Sequence, residues 1–145
     1  MPLSPAGPDL SFFSDPPADV AGAAEAWATA MGSYMGDLTF TSTTVATAQA
    51  ALQTSLESSL DGATDAATAF DAAMLTFATS VGSGMTTGGF AGLPPIGPFS
   101  GMVFLGGEYD DTSVASAAIA LEIYGWFITG TATMVLTPFT VSPWA

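Results

Sequence analysis

Carboxylates are the only ionisable side chains besides tyrosine in this 145-residue sequence: it holds 13 Asp and Glu and no Lys, Arg, His or Cys. The densest group is Glu108, Asp110 and Asp111, hard oxygen ligands of the type that suits calcium or magnesium. Their spacing lacks the alternating pattern of an EF-hand loop. Acidic residues ahead of a helix also cap its free amides and favour the positive end of its dipole, so capping is the first expectation and a cation site the second. Asp61 and Asp65, one helical turn apart, read as a solvated face rather than as an acid–base pair.

The missing residues exclude more than the present ones permit. Without His, Cys, Lys or Arg there is no imidazole base, thiolate nucleophile, Schiff-base amine or guanidinium clamp. Zinc sites of the Cys/His kind, haem and iron–sulfur ligation lack ligands, so the sequence predicts no cofactor and no enzyme. A formal charge of −13 with no basic side chain leaves nothing to neutralise phosphates, which excludes nucleic acid as a partner. Charged residues make up 9% of the chain against 49% hydrophobic, while ordinary domains are about 25% charged. Such a surface, poor in ions and lacking one sign, suits burial against other polypeptides.

The periodicity predicts a mainly α single domain: long amphipathic helices in a hairpin or bundle, a Gly/Pro-rich ordered loop and a short C-terminal strand. Residues 1–17, with five prolines and no period, read as an extended arm. Asp15 ahead of Pro16 and Pro17 predicts the start of the helical region 18–81. Val20, Ala24, Trp27, Met31 and Tyr34 or Met35 then mark one stripe of a helix ending near Gly36. Val45, Leu52, Leu56, Ala63, Phe70, Met74, Phe77 and Val81 form a second seam, either one bent helix or two broken near Gly62. Unbroken, it would be on the order of 60 Å long and would expose an oligomer interface.

Residues 82–107 are dense in Gly and Pro yet carry Phe90, Leu93, Ile96 and Phe99, so they should pack as an ordered loop. In 108–130 a helix shows Val114, Ala118, Leu121, Gly125 and Ile128 on one face. Ile119, Ile123, Trp126 and Phe127 fill the others, which predicts burial nearly all round. Residues 131–145 read as an edge strand before Pro138 and a terminal arm.

The segment Gly89–Gly101, GFAGLPPIGPFSG, leads into an Ala-rich helix that ends in WFITGTAT at Trp126–Thr133. This arrangement resembles small structural proteins of tailed-bacteriophage virions over roughly the C-terminal half of the chain. The resemblance implies a multi-copy subunit of the head, neck, tail or baseplate, located in the virion and partnered by copies of itself and other virion proteins. It transfers no site residue. On the assembly reading, Phe12, Phe13, Phe139 and Trp144 in the two arms are the expected interface anchors. The alternative is a membrane-associated protein inserting Val114 to Leu136, a reading opposed by Glu122 mid-segment and by the lack of flanking cations.

With no cations at hand, like-charge repulsion should raise the pKa of Asp110 and Asp111. The fold should then be more stable in mild acid.

Overall fold

The computed structural model describes residues 3–61, 65–100, 111–135 and 141–144. The architecture is mainly α, with a small antiparallel sheet. Helices α1 (Val20–Gly36), α2 (Val45–Leu60) and α3 (Ala66–Ser83) run up, down and up, and α4 (Thr112–Phe127) packs with them. Strands β1 (Phe90–Leu93), β2 (Thr131–Met134) and β3 (Val141–Pro143) pair in the order β1-β2-β3.

The α1 stripe follows its spacing from Ala24 on, with Ala24, Trp27, Met31, Tyr34 and Met35 buried, but Val20 in the first turn is exposed and the cap is not the expected one. Asp19, extended at φ −141° and ψ 171°, accepts the Gly22 amide at 2.7 Å. Asp15 cannot do this. It stands before a Pro-Pro pair, which keeps that stretch out of the helical region and delays the first turn.

The second seam is two helices. α2 stops at Leu60 with Asp61 as its C-cap, and α3 restarts at Ala66 behind Asp65, so the described residues form two helices rather than one long rod. Gly62 itself lies outside the described residues. The hairpin is clamped at its far end, where the Ser42 hydroxyl donates to the Val81 carbonyl at 2.7 Å and the Thr44 hydroxyl to Ser80 at 2.5 Å. These bonds add partners to carbonyls in the last turn of α3, where intrahelical donors run out.

Neither terminus is a free arm. Leu3 and Leu10 are buried, and residues Ser11–Ser14 form a 3-10 turn that lays Phe12 and Phe13 edge-on against Trp27 at 5.3 and 5.6 Å. The Tyr34 hydroxyl donates to the Ser4 carbonyl at 3.0 Å, and burial pushes its pKa well above the usual phenolic range. At the other end Trp144 is 0% exposed, stacked on Phe127 at 6.1 Å. Aromatic contacts join the two termini through the core, passing from Phe12 through Trp27, Phe70, Phe99, Trp126 and Phe127 to Trp144.

The Gly/Pro-rich stretch holds β1, which the sequence reading placed in a loop. Its glycines allow the approach: a Cβ on Gly92 would collide with the Gly82 carbonyl and the Met85 sulfur, so β1 lies directly on the end of α3. Phe90 faces inward against Phe40 at 4.9 Å, and Ala132 below it is fully buried.

Candidate interaction surface

The acidic groups serve as helix caps. Asp111 accepts the Val114 amide at 2.9 Å and the Ser113 hydroxyl, which starts α4. Asp65 accepts the Thr68 amide at 3.0 Å and the Thr68 hydroxyl at 2.7 Å, which starts α3. Asp61 sits at the end of α2, so the two carboxylates close different helices rather than forming a catalytic pair. Glu108 and Asp110 lie outside the described residues. Among the described residues no group of three or more His, Cys, Asp or Glu could hold a metal ion.

These caps reverse the expected pH response at Asp111. Its pKa is lowered, first by the Ser113 hydroxyl and then by the Val114 amide; that of Asp65 is lowered by the amide and hydroxyl of Thr68. Short-range hydrogen bonds to the charged form outweigh diffuse repulsion in water. A carboxyl whose folded pKa lies below its unfolded value stabilises the fold fully above the unfolded value, about 3.9, and loses that help as pH falls through the folded one. The melting temperature should therefore drop on acidification below about pH 4. The double variant D65N/D111N, which keeps a capping oxygen but does not titrate, should show a smaller drop when both proteins are melted across that range.

A cleft of about 500 Å³ lies between the N-terminal segment and α1, with Asp9, Ser11, Phe12, Glu25, Thr29 and Ser33 among its lining. Asp9 there accepts the Ser11 amide at 2.9 Å. The cleft has the chemistry of a wet surface groove.

Of the expected interface anchors, Trp144 is buried in the chain's own core. Phe12 and Phe13 are half-buried on Trp27, and Phe139 lies outside the described residues. Aromatic rings this large gain more by closing an intramolecular core than by waiting on a partner. The exposed apolar surface is elsewhere. On α4 the face with Ile119, Ala120, Ile123, Trp126 and Phe127 points inward, and Val114, Leu121 and the C-cap Ile128 point out. Burial nearly all round is thus overturned. Two apolar faces competed for the core, and the aromatic one took it, with Trp126 Nε1 donating to the Gly97 carbonyl at 3.2 Å. Glu122 is exposed on the same helix.

The second exposed area is the outer face of the sheet. Cross-strand register places Ala91, Thr133 and Val141 in one row and Leu93, Thr131 and Pro143 in the next. Leu93 is 58% and Val141 65% exposed. Val135, whose amide donates to the Gly89 carbonyl, extends this face, and Ile96 at 79% exposure stands at its margin. The alternation of Phe90 and Gly92 inward with Ala91 and Leu93 outward is the signal for this face in the sequence, masked there by the surrounding glycines and prolines.

No single helix covers Val114 to Leu136. α4 ends at Phe127, residues 131–134 are a paired strand, and among the described residues no helix is long and apolar enough to cross a bilayer. Leu136 itself lies outside them. Comparison with protein-family models, with curated proteins and with solved structures finds no match to this chain.

Proposed function

We propose that this chain is a non-enzymatic structural assembly subunit, present in multiple copies in the head, neck, tail or baseplate of a tailed-phage particle. Its work is to pack against copies of itself and against other virion proteins, with no role for nucleic acid. The observation that carries this reading is the exposed apolar side chains of α4 and the sheet, in a chain whose own core is already filled by aromatic rings. Single exposed aliphatic residues are ordinary on soluble proteins. Apolar residues grouped on one sheet face and one helix face are the usual mark of a protein contact.

The composition supports the same reading. A surface of Ala, Gly, Ser and Thr with carboxylates of one sign offers no salt bridges, so shape and apolar contact must carry association. Mass spectrometry of particles purified from a culture that produces this chain tests the proposal. Multiple copies per particle, retained through a density gradient, are expected; recovery only in the particle-free fraction would overturn it.

A further inference from the structure

We propose that the outer face of the three-stranded sheet, with Ile96 at its margin, is the surface on which a second copy of this chain docks. The inference rests on the assembly-subunit reading and names the site and partner within it. The first argument is the shape of the face. Ala91, Leu93, Val135, Val141 and Pro143 stand outward from an antiparallel sheet whose other face is packed on the core, with half-buried Thr131 and Thr133 between them. A sheet covered on one side and apolar on the other is half of a sandwich, and sheets pack face to face at about 10 Å.

The second argument is charge, and it selects the occupant. All 13 side-chain carboxylates fall at positions 9–71 or 108–122; the stretches 72–107 and 123–144, which contain the three described strands, have none. Two copies that each carry −13 repel one another wherever carboxylates come within a Debye length, about 8 to 10 Å. The strands themselves carry no carboxylate, so copies that meet on the sheet face oppose fewer charges than copies that meet on the helices, with Glu122, in a cleft shared with Pro98 and Thr129, standing toward the margin. A basic partner would instead be drawn to the carboxylate-bearing helices and would gain nothing here. A two-fold pairing places the same neutral patch on itself, as an isologous contact requires.

The third argument is extent. Strands of three and four residues are too small for a stable interface of about 800 Å² per partner. The apolar surface continues, however: the Ile96 amide donates to the Thr129 hydroxyl at 2.9 Å, which sets Ile96 beside the chain between exposed Ile128 and Thr131. The sheet with this margin suits a reversible dimer rather than an obligate one.

Light scattering and sedimentation of the purified full chain over a wide concentration range test the assignment. The wild type should pass from monomer to dimer, and more readily at high salt, where residual repulsion is screened. The double variant L93E/V141E and, separately, I96E should weaken association by at least about tenfold, because like charges would then face each other across the contact. Circular dichroism should show both variants folded, since all three positions are exposed. Mixing L93E/V141E with L93K/V141K should restore the dimer. Association that survives in both glutamate variants, a wild type that stays monomeric, or a face that takes up only a different protein would each overturn this assignment. The particle-incorporation experiment decides the broader reading independently.

Discussion

Replacing Trp144 by Ala should cost roughly 3 kcal/mol and lower the melting temperature by roughly 10 °C, read by thermal or urea denaturation of the isolated chain. The indole is fully buried and stacked on Phe127, and its ring carbons lie within reach of a Cβ built on Gly130 or Gly82, so alanine would leave a void walled by backbone that cannot collapse. One feature limits the loss. Trp144 Nε1 is buried with no hydrogen-bond partner, a donor whose desolvation costs about 1 to 3 kcal/mol. Removing it returns that cost. Trp144→Phe, which keeps most of the ring and drops the N–H, should therefore stay within about 1 kcal/mol of wild type. Were Trp144 an anchor for a neighbouring subunit, neither change would move the midpoint of the isolated chain.

Gly7→Ala should be nearly as damaging, at roughly 2 to 4 kcal/mol. Gly7 has φ +79°, a region that costs other residues about 1 to 2 kcal/mol. A Cβ there would also run into the backbone carbonyl of Ala120, in the middle of α4, where nothing can yield. Relief comes only by lifting the N-terminal segment, which strips Leu3 and Leu10 from the core and breaks the Tyr34–Ser4 bond. Tyr34 reports this directly. In the wild type its ionisation is pushed well above the ordinary range by burial; in the variant it should return toward about 10 in a spectrophotometric titration, alongside the lower urea midpoint. An unchanged Tyr34 titration would mean that the segment stays docked.

Both results would follow from residues that the amino-acid sequence places in arms. Pro-rich, aperiodic segments carry no local signal of where they go, because their partners are far along the chain: Ser4 meets Tyr34, Gly7 meets Ala120, and Trp144 meets Phe127 and Gly130. The helices were legible for the opposite reason. In α1 and in the α2–α3 seam the apolar residues recur at three and four, and most of those residues are buried. Asp111 could be read as a cap because its partners, Ser113 and Val114, lie within three residues. The break after Leu60 was visible as an ambiguity at Asp61-Gly62, and the hydroxyls of Ser42 and Thr44 on the Ser80 and Val81 carbonyls show how the resulting hairpin is held.

The candidate surface was legible only in part. Val114, Leu121 and Ile128 stand out as one face of a helix in the sequence, but α4 is apolar on both sides, and periodicity cannot say which side wins. The outcome depended on where Phe70, Phe77 and Phe99 left room for Trp126 and Phe127. The sheet face needed more still, since Leu93 and Val141 come to share one face only when β2, which lies between β1 and β3 in the sheet, pairs with both across long stretches of sequence.

What the sequence determined by itself is whatever composition and short-range contacts control: the absence of basic chemistry, the charge of −13, the helical class, and caps made within one turn. Tertiary structure alone decided which apolar side chains fill the core and which remain outside. That choice is a competition for a limited buried volume among groups of similar hydrophobicity, and it is settled by fit between distant segments rather than by any residue's own preference.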